Sequence, residues 1–120
     1  MKIIKNPGKN GAGKIEIAEL KEMSKKMLNN LVKAVVDIEL KIMAVDAEMH
    51  VDLEQILIEE ENCQNQNLWG INIYPANNGD DRIEFDSMIN LKPAWGNRTR
   101  GVESEEIRKK IIEVVNNLIK

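Results

Sequence analysis

Glu48, His50, Asp52 and Glu54 stand at alternate positions, so on an extended segment all four side chains leave the same face. A carboxylate–histidine stripe of this kind can ligate a divalent cation or position a proton donor. Asp46 extends the stripe, and a working site needs a further acid from another strand, for which Glu84 and Asp86 are the candidates. The chemistry it would support is metal-dependent hydrolysis centred on His50 with Glu48, Asp52 and Glu84. A plainer account competes with it: Met49, Val51 and Leu53 fill the intervening positions, so a core face backed by a solvated face gives the same pattern.

A second constellation lies in Trp95-Gly96-Asn97-Arg98-Thr99-Arg100-Gly101, where an aromatic and two arginines sit between glycines just before a helix start. Arg98 and Arg100, the loop amides around Asn97 and the helix dipole could jointly hold a phosphate or carboxylate, with Trp95 beside them. The structural alternative has Trp95 plugging the core and the arginines paired with acids such as Glu103. Gly8-Lys9-Asn10-Gly11-Ala12-Gly13-Lys14 has phosphate-loop spacing up to its lysine, but Ile15 stands where the Mg²⁺-holding hydroxyl belongs. The antiparallel pattern that follows also lacks the parallel sheet such loops require, so the segment reads as a glycine-rich flexible arm over residues 1–14. Cys63 falls in a polar turn and His50 is the chain's single histidine, so no nucleophile–base pair emerges.

The elements that must position these groups follow from periodicity. Ile17, Leu20, Met23, Met27, Leu28 and Leu31 recur at helical spacing and predict a helix over 15–31, ended by Asn29-Asn30. From Val32 the period becomes two, slips at Met43-Ala44 and resumes to Leu53, which predicts a hairpin turning near 39–44. Residues 52–61 fit helix or strand, and the sequence leans to strand without deciding between them. Leu68 to Tyr74 is a strand ended by Pro75; a turn at 77–81 brings Ile83, Phe85 and Ile89 back along 82–91. Ser104 caps a final helix with Glu105 and Glu106 in its first turn and Ile107, Ile111, Ile112, Val115 and Leu118 as its buried stripe. The expected fold is a single α+β domain over 1–120, an antiparallel sheet of about four strands packed with an N-terminal and a C-terminal amphipathic helix on one face.

Composition agrees with that size. A chain of 120 residues, 42 % hydrophobic and 31 % charged, can close one core and is too apolar for disorder. No apolar run is long enough for a signal core or a membrane span, and one cysteine cannot form an internal disulfide, which points to the cytoplasm. In that setting Asn97-Arg98-Thr99 is only a coincidental glycosylation pattern, and a net charge of -3 argues against nucleic acid as the main partner.

Leu68-Trp69-Gly70-Ile71-Asn72-Ile73-Tyr74-Pro75, then Ile83-Glu84-Phe85-Asp86-Ser87 and Gly96-Asn97-Arg98, with Val35-Val36-Asp37 and Glu48-Met49-His50, resemble a family of short prokaryotic proteins catalogued only as a domain of unknown function. The likeness covers most of residues 30–120, leaves Gly8 to Gly13 outside, and implies a compact domain without bringing an activity. The sequence therefore points first to a small binding module that recognises an anionic ligand or a protein partner through the 95–101 loop, with no cofactor predicted. The alternatives are the divalent-metal hydrolase at His50 and a structural or regulatory homodimeric subunit that pairs through an uncovered sheet face or edge.

Overall fold

The computed structural model describes residues 1–5 and 13–120, so all but the end of the Gly8–Gly13 stretch lies outside the described residues. Five strands form one sheet: β1 (Lys2–Ile4), β2 (Val32–Asp37), β3 (Ile42–Val45), β4 (Leu68–Ile73) and β5 (Ile83–Glu84). Their order is β1-β3-β2-β4-β5, and every neighbouring pair is antiparallel. Three helices cover this sheet: α1 (Ile17–Ser24), α2 (His50–Glu61) and α3 (Glu105–Leu118).

β2 lies at the centre, and its apolar residues are buried in both directions. Val32, Ala34 and Val36 join Met43, Val45, Trp69, Ile71 and Ile73 in one cluster with Leu20 of α1 and Ile111, Val115 and Leu118 of α3. Val35, Ile42, Ala44 and Leu68 face the other way, onto Leu53 and Leu57 of α2 and onto Cys63. The terminal helices thus share one face, as the sequence implies, while a third helix, over a segment whose residues fit helix or strand, occupies the opposite one. Ser104 caps α3 as expected, its hydroxyl accepting from the Ile107 amide at 3.2 Å. The chain end is tied back to the start of α1 where the amide of Lys120 donates to the Ile15 carbonyl at 2.8 Å.

Several expected boundaries move. The first helix stops at Ser24, whose hydroxyl donates back to the Lys21 carbonyl at 2.7 Å, and Leu28 beyond it is 88 % exposed. Asn29 and Asn30 do take left-handed backbone (φ 65° and 53°), but they turn the chain into β2 rather than end the helix. The β2–β3 hairpin forms at residues 38–41. Asp37 Oδ1 accepts from the amides of Glu39 and Leu40, both at 2.8 Å, and Lys41 has φ 60°. β3 ends at Val45 because Asp46 adopts φ 75°, so the alternation from Val45 to Leu53 is not a strand.

Residues 52–61, open between helix and strand in the sequence with a lean to strand, are helix. Leu53 and Leu57, one turn apart, fill the second cluster while Ile56 packs beside them, and the intervening Glu and Gln residues are good helix formers. Cys63, expected in a solvated turn, is buried in that cluster. The return strand shrinks to the two residues of β5. We expect Leu57→Ala to lower unfolding free energy by about 2–5 kcal/mol in urea denaturation; a loss below about 1 kcal/mol would show that α2 is not packed as described.

Candidate functional site

The segment 86–101 leaves β5 and folds over the open end of β4. Its hold on β4 comes from side chains. Asn90 Oδ1 accepts from the Gly70 amide at 2.8 Å, and its Nδ2 donates to the carbonyls of Gly70 and Arg100, both at 2.9 Å. Gly70 is required here, since a Cβ would lie 2.5 Å from Ser87 Cβ and Oγ. Asn97 closes the loop on itself. Its Nδ2 serves the carbonyls of Asn90, Gly101 and Thr99 at 2.7, 2.9 and 3.1 Å, and its Oδ1 accepts from the Glu103 amide at 2.9 Å. Lys92, also buried, donates to the Ile89 carbonyl at 3.0 Å and places its ammonium 5.4 Å from the centre of the Trp69 ring. Burial pushes the Lys92 pKa down, against the pull of Glu54.

So anchored, the segment meets the first turn of α2 and the start of β2 around a cavity of about 140 Å³. Its walls include Lys33, His50 and Arg100 together with Met49, Val51 and Met88. His50 Nε2 lies 2.8 Å from the Ile71 carbonyl. A carbonyl only accepts, so Nε2 carries the proton and Nδ1 is the acceptor of the neutral ring. Burial is the largest influence on His50 and lowers its pKa; Lys33 and Arg100 act the same way, while the Ile71 bond and Asp86 oppose them. Arg100 Nε donates to Asp86 Oδ1 at 2.7 Å. Lys33 has no ion pair among the described residues. Met49, Val51 and Met88 are exposed at 57, 46 and 61 %, so an apolar rim surrounds basic groups.

The expected site residues divide. His50 and Arg100, drawn from two separate sequence constellations, line the same cavity. Asn97 is buried and holds the loop together. Arg98 is exposed and engaged through its amide by the Glu103 carboxylate. Trp95, for which a core position was the structural alternative, is 62 % exposed, and Trp69 is the core tryptophan instead. Met49, expected in the core, stands on the cavity rim.

The metal set is not brought together. Glu48 and Asp52 face a separate open groove with Gln55 and Glu59, because the segment turns helical at His50. Glu84 Oε1 accepts from Asn72 Nδ2 at 2.9 Å and from the Tyr74 hydroxyl at 3.1 Å. Among the described residues no three His, Cys, Asp or Glu side chains gather as a metal-holding group. Lys33, Val51 and Met88 were missed. Lys33 is a charge set inside the otherwise apolar run from Leu31 to Val36, which is the signal that could have marked it.

Fold and site together define a three-layer α+β domain with a small basic cavity between its second helix and a side-chain-anchored loop. The chain belongs to the family described as "Protein of unknown function (DUF5674)", whose model spans residues 11–118 and so takes in α1 and Gly11–Gly13 as well as the stretch recognised in the sequence. No curated protein and no solved structure matches the chain. No helix among the described residues is long and apolar enough to cross a membrane.

Two outcomes test this geometry. Asn97→Ala should cost several times more stability than Arg98→Ala, which should stay within about 0.5 kcal/mol; equal losses would contradict a structural Asn97. Because the folded state holds His50 below its ordinary pKa of 6.5, its contribution is complete above that pH and is lost as pH falls below it. Urea midpoints taken from about pH 7.5 to about pH 5 should therefore fall more steeply for the natural chain than for His50→Gln; identical slopes would refute the assignment.

Proposed function

We propose that this protein is a binding module that takes an anionic group, carried by a small ligand or a protein partner, in the cavity between α2 and the 86–101 segment. The observation that carries the reading is the meeting of Lys33, His50 and Arg100 inside a rim of exposed Met49, Val51 and Met88. Lys33 and Arg100 supply charge, with Arg100 already oriented by Asp86. Its charge partly answered by Asp86, Arg100 contributes direction more than net field, and Lys33 is the principal attraction. The start of α2 adds the positive end of a helix dipole. The exposed thioethers and Val51 suit a short apolar group next to the anion, since Met adapts its shape to what it covers.

Amide-resolved NMR titration with inorganic phosphate and with an N-acetyl-Asp-Phe amide is the direct test. Saturable shifts are expected at Lys33, Val51 and Met88, tighter for the peptide, with Lys33→Ala weakening binding by about tenfold. Absence of saturation at ligand concentrations of about 10 mM would remove the proposal.

A further inference from the structure

His50 makes a second demand on whatever fills the basic cavity. Its ring lines the cavity and gives its Nε2 proton to the Ile71 carbonyl, which leaves Nδ1 as the acceptor. Among the described residues nothing donates to Nδ1, and unlike the partnerless polar atoms sealed in the core it keeps accessible surface. Burial first, then Lys33 and Arg100, outweigh the Ile71 bond and Asp86 and hold the ring neutral at pH 7. Nδ1 is therefore an open lone pair standing beside two cations. A bare anion has no proton to offer it. A ligand that satisfies the whole cavity brings a hydrogen-bond donor as well as a negative charge.

The charge already present narrows the anion. Arg100 is answered by Asp86 through Nε, while its two terminal nitrogens bond nothing among the described residues. They keep the planar pair of donors that a carboxylate accepts side by side. With Arg100 answered and His50 neutral, Lys33 supplies the unanswered positive charge of the wall, which matches a carboxylate monoanion better than a phosphate near two charges.

Size and lining set the rest. The cavity holds about 140 Å³. A cavity of about 150 Å³ takes a benzene molecule, so there is room for about six non-hydrogen atoms. A carboxylate, its α-carbon and a short aliphatic side chain fill that space, and Met49, Val51, Met88 and Ile89 are the apolar walls that receive the side chain.

Resting on the anion-binding reading above, we infer that the cavity recognises the carboxyl end of an acylated small apolar amino acid. The α-carboxylate lies against Lys33 and Arg100, the N–H on the adjacent carbon donates to His50 Nδ1, and the side chain sits among Met49, Val51 and Met88. A free N-acyl amino acid and the C-terminus of a protein ending in such a residue present the same three groups.

Amide-resolved NMR of the full chain at about pH 7.5, where the imidazole is neutral, tests this with N-acetyl-L-valine as probe. Its companions are the ester analogue in which oxygen replaces the N–H, N-acetyl-L-valinamide, which lacks the charge, and N-acetyl-Ala-Ala-Val as the peptide form. Saturable shifts are expected at Lys33, Val51 and Met88 with N-acetylvaline, about tenfold weaker with the ester and absent with the valinamide. The ¹⁵N resonance of His50 Nδ1, readable because the chain has one histidine, should move with N-acetylvaline and stay in place with the ester. Equal affinity for N-acetylvaline and the tripeptide identifies a free acyl amino acid as a sufficient source, and tighter binding of the tripeptide points to a protein C-terminus; both support the site. Equal affinity for the N–H and ester probes, or a stationary Nδ1 resonance, overturns the inference and leaves the anion reading standing. Saturation by inorganic phosphate without any by N-acetylvaline does the same, and silence of both removes the two readings together.

Discussion

The carboxamide of Asn90, set against both backbone groups of Gly70, is the constraint on which the 86–101 segment depends. β5 pairs with only the last two residues of β4, which leaves the amide and carbonyl of Gly70 without a strand beside them, inside the protein. Buried backbone groups must find partners. An asparagine side chain carries the same donor and acceptor as a peptide unit, so it can stand where the next strand residue would stand. Freed from strand geometry, the chain turns across the sheet face. Ser87 can then settle over Gly70 because that residue has no Cβ.

The same substitution of side chain for backbone continues at Asn97, which gathers three carbonyls and one amide of its own loop. Arg100 therefore projects from a braced position although it lies outside any regular element. On the other side of the cavity, α2 is fixed by Leu53 and Leu57 against β2 and β3. The basic groups thus come from three independently anchored pieces: a central strand, a packed helix and a hydrogen-bonded loop. That is the form of support a binding site needs if its groups are to be oriented before a ligand arrives.

Much of this was legible from residue order, for reasons that differ by element. β4 and α3 announce themselves, one by clean alternation ended at Pro75, the other by Ser104 and a stripe at helical spacing. α2 did not, because Met49, Val51 and Leu53 imitate a strand, although Met49 at the N-cap and Val51 in the first turn are exposed. The competing signal, Leu53 with Ile56 and Leu57 among helix-forming Glu and Gln, was present and outweighed by an alternation that belongs to no element. That single error also placed Glu48, His50 and Asp52 on one face. Asn90 and Asn97 look like ordinary loop residues in the sequence, since a carboxamide that replaces a strand has no periodic trace. The convergence of His50 with Arg100 is a long-range fact of topology and could be seen only in three dimensions.

One geometric consequence ties the two ends of the molecule together. α2 runs in the same direction as β2, with His50 near Lys33 at the strand's start and Asn62 near Asp37 at its end. A helix laid along a central strand in this sense presents its positive terminus at the cavity beside Lys33 and its negative terminus beside Asp37. The side chains reinforce that field at the carbonyl end, where Glu59 to Glu61 gather near Asp37 and Glu39, while at the amide end Lys33 and Arg100 stand with Asp52 of the helix's first turn. Fold stability alone would favour the reverse, with acids at the helix start and bases at its end. The acids of its last turn therefore stand against the helix's own electrostatic preference, and it is the packing of Leu53 and Leu57 against the sheet, not end charge, that holds α2 in place.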